Sequence, residues 1–523
     1  MSDLEKKGEL AVKTNSEKQG SSIEDPYYQH EVSEAQPAKL GGFYANVMEM
    51  FHGETRGIER IPEEEKTQTS MWTAASMWFS ANLVIATFSL GALSYSVFSL
   101  DFGTSVLVII FFNLLGALPV AFYSCFGAKF GLRQMVLSRY LVGDIGMRVF
   151  ALINCIACVG WGAVNIMSSA QLLHIVNGGV LPPWAGCLIL VICTILVTFF
   201  GYNVIHAYEK WSWIPNICVF IAIICRLSMD GVFKAGLPND DGTFTTWGSG
   251  KTFAGGVLSF GGTIFGFAAG WTTYAADYTV YMKTNSNPYK IFFMVLGGLT
   301  FPLIFTMILG AAAVTGIKTN DKYATLYDEY SIGGLVYAIL CQDSLHRFGE
   351  FLSVVLAMST VCNNIPNMYS IALGAQCFWS QFARVPRIVW TIIGNCLTLA
   401  ICIPAYYSFE SVMENFMNII GYYLAIYDAI TLSEHFIYIG GFKNYDVSGY
   451  NDKSKYNPGW AGLFAICCGA AGVAIGMDQT WYVGKVGGKI GEYGGDIGFE
   501  LAGAFAFIGY NLTRPFEKKY FGR

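Results

Sequence analysis

The sequence predicts an all-α polytopic membrane protein with about twelve transmembrane helices, built as two inverted repeats of five helices plus two further helices. Three observations support this fold class. The 523 residues are 54% hydrophobic and only 13% charged, whereas soluble domains carry about 25% charged residues. Runs such as 106–126 and 291–314 contain no charged residue, and about 20 apolar residues cross a bilayer. Glycine-rich interruptions and polar clusters recur in spans that are five apart.

The apolar runs define the order of the elements and the domains. A tail is expected at 1–70, a transmembrane domain at 71–512 and a short second tail at 513–523. Within the domain, 71–229 forms the first repeat, 253–437 the second, and 459–512 the last two helices. The twelve predicted spans lie at approximately 71–99, 103–126, 147–177, 183–202, 210–229, 253–281, 288–315, 347–377, 387–404, 409–437, 459–475 and 497–512.

Residues 1–70 have the composition of a disordered, acidic tail. They contain 8 Lys and Arg against 14 Asp and Glu, a net charge of −6, while the whole chain carries −5 and the remainder is therefore close to neutral at +1. Few apolar residues and a high net charge are typical of disordered segments. The acidity therefore does not describe a substrate. The chain also lacks the basic patch that binds nucleic acid.

The distribution of Lys and Arg predicts the orientation. The loops on the side of the N-terminus hold twelve of these residues, and the opposite loops hold seven. Because Lys and Arg are enriched in cytoplasmic loops, both termini are predicted to be cytosolic. The protein is expected to contact membrane lipids through its spans.

Spans one and six are predicted to be broken helices. Span one contains a Ser-Leu-Gly-Ala-Leu-Ser segment around Gly91, and span six contains Gly266 and Gly270. Glycine weakens a helix, and interrupted spans in corresponding halves of a transporter are typical of its binding site. Close packing of glycine-rich membrane helices is the alternative explanation.

Span three carries the first candidate binding residues, Trp161 and Asn165. Their i, i+4 spacing places an indole and an amide on one face of a helix. A packing role for Trp161 and an interhelical hydrogen bond for Asn165 are the alternatives. Trp271, after the glycines of span six, could stack on the other face of a planar ligand.

Span eight contains three amides beside a proline: Asn363, Asn364, Pro366 and Asn367. Asn363 and Asn367 share one helical face, while Asn364 points about 100° away and favours a neighbouring helix. Pro366 removes a backbone donor and is expected to loosen the turn before it. Amides offer both donors and acceptors, which suits a flat neutral molecule with a mixed edge, such as a nucleobase.

Groups that could couple an ion are fewer. Asp277 lies near the inner end of span six, and an intramembrane carboxylate is a functional candidate by default. A charge at a helix end is the alternative for Asp277 and for the carboxylates of span ten. The His residues show no ligand spacing, and no nucleophile elbow or phosphate loop occurs. No metal, cofactor or enzymatic activity is therefore expected.

These residues resemble the fungal purine–cytosine permeases of the nucleobase–cation symporter family over nearly the whole chain from Arg56 onward. The resemblance rests on four segments, which are Ala86-Thr87-Phe88-Ser89-Leu90-Gly91, Gly160-Trp161-Gly162-Ala163-Val164-Asn165, Ala269-Gly270-Trp271 and Asn363-Asn364-Ile365-Pro366-Asn367-Met368-Tyr369-Ser370. It implies a leucine-transporter-type inverted repeat, alternating access, and proton symport of cytosine, adenine, guanine and hypoxanthine at the plasma membrane.

The resemblance also implies residue roles. Trp161 and Trp271 would sandwich the base, Asn165 and Asn367 would bond its edge with Asn363 in support, and Ser89 would line the pocket. Sodium-coupled members use small hydroxyl residues of span eight, where this chain has Ser359 and Thr360. Transport of another planar heterocycle (pyridoxine, uracil or a nucleoside) and a receptor that binds without transporting are the alternative functions.

Overall fold

The protein is described by a computed structural model, which covers residues 57–523 except 69, 177, 200–209, 240–242, 380, 383–384 and 386. Most of the expected tail 1–70 therefore lies outside the described residues. The first helices are α1 (Met71–Asn82), α2 (Ile85–Ser96), α3 (Phe102–Phe130), α4 (Gln134–Leu141), α5 (Asp144–Val176), α6 (Pro183–Phe199) and α7 (Trp213–Asp230).

The second half begins after a short hairpin of β1 (Leu237–Pro238) and β2 (Phe244–Thr245). Its helices are α8 (Lys251–Ala269), α9 (Pro288–Val314), α10 (Asp321–Leu340), α11 (Arg347–Phe378), α12 (Arg387–Ala405), α13 (Phe409–Ser433), α14 (Trp460–Gly476) and α15 (Gly498–Phe521). A second hairpin, β3 (Asp478–Gln479) with β4 (Tyr482–Val483), joins the last two helices.

Each of the twelve predicted spans contains a helix. Among the described residues, seven helical segments are long and apolar enough to cross a membrane, and the bent pair α1–α2 makes an eighth. One of the seven, 388–439, includes both α12 and α13, and 183–197 and 460–476 are shorter apolar helices. The number twelve stays a prediction.

Two helices were not expected. Hydropathy places no span over α10, because its first half carries Asp321, Lys322, Asp328 and Glu329. Its second half is nevertheless buried against α5. The short helix α4 is buried along its whole length, although it includes Arg139.

The helices pack in a pattern that exchanges the two halves of the chain. Span one (α1 and α2) packs against α9, which is span seven, and span six (α8) packs against α3, which is span two. The third spans of the two halves, α5 and α11, also pack together. Adding five to span two gives span seven, and adding five to span one gives span six, so the two contacts are equivalent. This is the relationship expected for two repeats of five spans.

Span one is broken at Leu83–Val84, not at the predicted segment around Gly91. The axes of α1 and α2 differ by 55°, and Leu83 has a non-helical ψ of 63°. Ser89 and Gly91 lie inside α2. A Cβ at Gly91 would come within 1.9 Å of the backbone oxygen of Met307, so this glycine permits close helix packing.

Side chains from distant spans satisfy the backbone groups exposed by this break. Asn216 Nδ2 donates to the Leu83 oxygen at 3.1 Å, and the Ile85 N–H donates to Ser359 Oγ at 3.2 Å. Asn363 Nδ2 donates to the Ala81 oxygen. Because unpaired backbone groups are costly away from water, these contacts stabilise the break.

The second break, in span six, occurs at Gly270, which is one of the two glycines predicted to interrupt this span. Helix α8 ends at Ala269, and a 3₁₀ segment, Thr272–Tyr278, begins after Gly270. Gly266 lies inside α8, where a Cβ would be 1.9 Å from the Met417 oxygen. Pro366 lies inside α11, which continues to Phe378, so neither Gly266 nor Pro366 breaks a helix.

Both predicted tails are partly folded where they are described. Ile61 is buried and its N–H donates to the Gly131 oxygen at 2.9 Å, and Lys66 Nζ donates to the Ala128 oxygen at 3.1 Å. Residues 513–521 extend α15 rather than forming a tail, and Arg514 is buried there. The described N-terminal segment therefore packs against the end of α3.

Candidate functional site

Two indole rings face each other where α5 meets the break after α8. The ring centroids of Trp161 and Trp271 are 6.3 Å apart with an angle of 27° between their planes. The two residues are 3% and 2% exposed. A flat ring between them needs about 3.5–4.0 Å to each indole, or roughly 7–8 Å in all. The two indoles must therefore move apart before a ring can enter between them.

Further aromatic rings hold the two indoles in place. Phe267 and Phe416 contact Trp161 edge-on at 5.0 and 5.9 Å, and Trp78 contacts Trp271 edge-on at 5.3 Å. A Cβ at Gly270 would be 2.5 Å from Trp161 Cζ2. Gly270 is therefore required for the close approach of the Trp161 ring to the break.

An amide cluster joins α5 to α11 one turn from the Trp161 ring. Asn165 Nδ2 donates to Asn363 Oδ1 at 2.7 Å and to Asn364 Oδ1 at 3.0 Å. All three residues are buried. Asn363 and Asn364 both reach Asn165 of the neighbouring helix, so the structure does not separate these two amides as their helical spacing predicted.

Polar atoms at this cluster have no partner among the described residues. They are Trp161 Nε1, Asn165 Oδ1 and Asn364 Nδ2. Two are donors and one is an acceptor. Because an unmade buried hydrogen bond is costly, these atoms favour a ligand with both donor and acceptor groups on its edge.

The other predicted binding residues are already engaged with the protein. Asn367 Oδ1 accepts from the Tyr274 hydroxyl at 3.0 Å, and Asn367 Nδ2 donates to the Asn363 oxygen at 3.2 Å. Ser89 Oγ donates to the Ile85 oxygen within its own helix at 2.9 Å. Asn367 therefore links α11 to the 3₁₀ segment of span six.

Three residues of this region were missed from the sequence. Trp271 Nε1 donates to Asn82 Oδ1 at 3.1 Å, and Trp78 and Tyr274 border the Trp271 ring. Asn82 is the one amide between residues 71 and 99, a signal that could have identified it. Nothing comparable distinguishes Trp78 or Tyr274 from packing aromatics.

The coupling candidates lie on different sides of the site. Asp277 Oδ1 accepts from the Gln134 N–H at 2.7 Å, which ties span six to the start of α4. Ser359 reaches the break of span one, and Thr360 Oγ1 contacts Ser169 and the Ala357 oxygen. Ser359 and Thr360 therefore lie near the break of span one, whereas Asp277 contacts the start of α4.

A cavity of about 380 Å³ opens on the side of the site away from the described chain ends. Gln171 and His174 of α5 line it together with α10 and the start of α13. The Tyr327 hydroxyl donates to Glu410 across it. Gln171 is six residues from Asn165, about 9 Å along a helix, so the cavity approaches the amide cluster.

Hydrogen bonds close the opposite side. Thr273 Oγ1 donates to Asn154 Oδ1 at 2.6 Å, and Asn154 Nδ2 donates to Ser370 Oγ at 2.9 Å. These bonds join the 3₁₀ segment of span six to α5 and α11. The site is thus sealed on the side of the termini and borders a cavity on the other.

The chain matches known proteins over most of its length. Residues 60–494 match the family of permeases for cytosine/purines, uracil, thiamine and allantoin. The chain is 56% identical to purine-cytosine permease FCY2 of Saccharomyces cerevisiae over 96% of its length and 93% of that protein. It is 47% identical to purine-cytosine permease fcyB of Emericella nidulans, over 90% of each chain.

The fold is shared with a solved transporter. Mhp1, a nucleobase-cation-symport-1 family transporter solved in a closed conformation with bromovinylhydantoin bound, superposes with a TM-score of 0.64 at 15% identity. The match covers 90% of this chain and 95% of Mhp1. The expected leucine-transporter-type fold class is therefore confirmed.

Proposed function

Because this chain belongs to the permease family for cytosine/purines, uracil, thiamine and allantoin, we propose that it is a proton-coupled symporter. It imports purine bases and cytosine through the plasma membrane by alternating access, with both termini in the cytosol. Cytosine, adenine, guanine and hypoxanthine are the proposed substrates. The names of the two fungal relatives support this choice.

The observation that carries the proposal is the pair of facing indoles beside an amide cluster. Stacking on an aromatic side chain contributes about 1–3 kcal/mol per base, so two indoles supply roughly 2–6 kcal/mol. A few neutral hydrogen bonds of about 1 kcal/mol each bring the total near the roughly 8 kcal/mol of a micromolar site. No salt bridge is needed, which suits an uncharged ligand.

The residue roles follow from which polar atoms are engaged. Trp161 and Trp271 sandwich the base, and Asn165 Oδ1 with Asn364 Nδ2 bonds its edge. Asn165 Nδ2 bridges Asn363 and Asn364, and Asn363 connects this cluster to the break of span one. Asn367 acts through Tyr274 and couples the site to the 3₁₀ segment of span six.

The test is uptake of radiolabelled cytosine, adenine, guanine, hypoxanthine, uracil and pyridoxine in a yeast strain that lacks nucleobase transport. Uptake of cytosine and the purines, with competition among them, is the expected result. Purified protein in proteoliposomes should also perform cytosine counterflow, which a receptor cannot do. Binding without counterflow would contradict a carrier, and preference for pyridoxine would contradict the proposed substrate class.

A further inference from the structure

Asp428 is a buried carboxyl group in α13 whose two oxygen atoms have no hydrogen-bond partner among the described residues. The residue is 7% exposed. An ionised carboxylate in such a place normally has a partner, and otherwise becomes neutral. Asp428 therefore requires a separate explanation.

Glu500 also has one oxygen, Oε2, without a partner among the described residues, but this residue is less buried than Asp428. Five other buried carboxyl groups of the described residues have partners. They are Asp101 with Thr104, Asp277 with Gln134, Glu434 with Arg514, Asp496 with Tyr422 and Gln479, and Glu517 with the Gly459 and Trp460 N–H groups. Structural roles account for these five carboxyl groups. No such contact accounts for Asp428.

Three tyrosines lie close enough to Asp428 to interact with it electrostatically. Tyr123 comes from α3, and Tyr423 and Tyr427 belong to α13 itself. Each hydroxyl has another partner: Thr431 for Tyr123, Thr273 for Tyr423, and Gln134 with Ser138 for Tyr427. The carboxyl group thus lies among polar groups that are already engaged.

No positively charged side chain of the described residues bonds the Asp428 carboxyl group, which is buried. Most charged and titratable groups nearer the ends of α13 and of its neighbouring helices have contacts of their own. These are Arg139 with Tyr450, Arg148 with Asp144, His435 with Tyr445, and Arg514 with Glu434 and Glu517. The carboxyl groups of Glu414 and Glu500 lie instead near Asp496, which disfavours a negative charge on them. A proton is therefore the simplest cation that could neutralise this carboxyl group in the conformation seen here.

Helix α13 also contacts the candidate site. Phe416 lies edge-on to Trp161, and the Tyr423 hydroxyl interacts with Thr273. Thr273 precedes Tyr274, which bonds Asn367. Helix α13 therefore carries Asp428 and makes two contacts with the candidate site. Through these contacts the position of the helix can respond to a bound base.

We propose that Asp428 is the proton-binding group of this transporter, an inference that rests on the proposed function. Its carboxylate takes a proton from the outer solution and holds it as a neutral acid while the group is buried. It releases the proton to the cytosol when the inner side opens. One O–H bond forms and the same bond breaks, so one proton crosses and no other bond changes.

The test compares Asp428→Asn with wild-type protein in proteoliposomes by two measurements. Cytosine counterflow at equal pH reports substrate exchange, and cytosine accumulation driven by an imposed pH gradient reports proton coupling. The variant is expected to retain counterflow and to lose pH-driven accumulation. Asp277→Asn removes the competing carboxyl group on span six, and pH-driven accumulation per active carrier should persist there.

The outcomes separate this inference from the proposed function. Wild-type protein that shows no counterflow, or accumulation that ignores the pH gradient, would overturn the proposed function and this inference with it. If wild-type protein is coupled and Asp428→Asn accumulates cytosine equally well, this inference alone is wrong. Loss of coupling in Asp277→Asn but not in Asp428→Asn would move the proton site to span six.

A second variant covers the case in which Asp428→Asn does not fold. Asp428→Glu keeps a carboxyl group on a longer side chain, so coupling should persist while the external pH of half-maximal uptake shifts. A pH profile identical to that of wild-type protein would contradict the assignment. Thermal stability of a fluorescent fusion shows whether each variant is folded.

Discussion

Trp161, Asn165 and Asn364 each bring a polar atom to the site that the protein leaves without a partner in its described part. Their surroundings fix them firmly: Gly270 leaves room for the indole, and Asn165 Nδ2 bonds both Asn363 and Asn364. Such preorganisation lowers the cost of binding, because side chains need not be ordered when the ligand arrives. Single substitutions here should therefore change affinity more than folding.

Replacing Trp161 by Ala should raise the KM for cytosine about 5- to 150-fold, because one stacking face of about 1–3 kcal/mol is lost. Trp161→Phe should have a smaller effect, since an aromatic ring remains. Uptake kinetics normalised to a fluorescent fusion at the cell surface provide the measurement. An unchanged KM in Trp161→Ala would make this indole a packing residue.

Asn364 and Asn367 should respond differently to alanine. Asn364→Ala removes Nδ2, a donor without a partner among the described residues. It should raise the KM by the factor that corresponds to about 1–3 kcal/mol, while the amount of protein at the cell surface stays near normal. Asn367→Ala breaks the bond to Tyr274 and should mainly lower the maximal rate or the amount of folded protein. Comparison of KM, maximal rate and surface fluorescence distinguishes them, and equal KM effects would leave the base-facing amide unassigned.

At the scale of elements, close approach between helices explains several glycines near the site. Helix α2 packs against α9, where a Cβ at Gly91 would meet the Met307 oxygen and a Cβ at Gly310 would come within 2.0 Å of the Phe88 oxygen. The contact is reciprocal, with a glycine from each helix facing backbone of the other. It holds α2, the second half of the broken span one, against span seven.

Gly310→Ala should lower the melting temperature of the protein, because overpacking costs about 1–3 kcal/mol. Gly297→Ala in the same helix is the matched control. A Cβ there meets nothing within 4 Å, and alanine is the better helix former. Thermal unfolding of fluorescent fusions in detergent measures both. Equal stability of the two variants would contradict the role given to the α2–α9 contact.

The sequence predicted the spans better than their breaks. Apolar length located a helix in each of the twelve predicted spans, but serine and glycine around Gly91 indicate packing as well as interruption. The actual break depends on Asn216, Ser359 and Asn363, which are distant in sequence and cannot be paired by inspection. Helix α10 was missed for a related reason. Its first half is charged, and the burial of its apolar second half depends on packing against α5, which is distant in sequence.

The same limit applies to the candidate site. Spacing placed Trp161 with Asn165 and identified the amides of α11, and the structure brings them together. Spacing could not show that Asn364 has a free donor while both polar groups of Asn367 are engaged. Those facts depend on Asn165 and Tyr274, which come from other spans.

At the scale of the whole molecule, the site is sealed toward the chain ends and borders a cavity on the opposite side. Buried ion pairs hold the sealed side together: Arg514 bonds Glu434 at 2.7 Å and Glu517 at 3.3 Å. The Glu517 carboxylate also accepts from two N–H groups at the start of α14. Under the proposed orientation, the cavity faces the medium and the sealed side faces the cytosol.

Uptake should rise as external pH falls and should collapse with a protonophore, because accumulation of a neutral base requires a coupled ion. The measurement is initial-rate cytosine uptake across external pH, with sodium replaced at constant pH as the control. Uptake that follows sodium and ignores the proton gradient would overturn proton coupling. It would also redirect attention to Ser359 and Thr360.

The spacing of the two indoles has a consequence for selectivity. A slot with aromatic walls selects ligands by the thickness of their rings, since each wall must stay about 3.5–4.0 Å from the ring atoms. This selection does not depend on the hydrogen bonds made by the edge of the ligand. Flat unsaturated bases share one thickness whatever their outline, which explains how one slot could accept both one-ring and two-ring bases. A base saturated at its ring carbons is puckered and thicker, and it should be rejected even with every donor and acceptor in place.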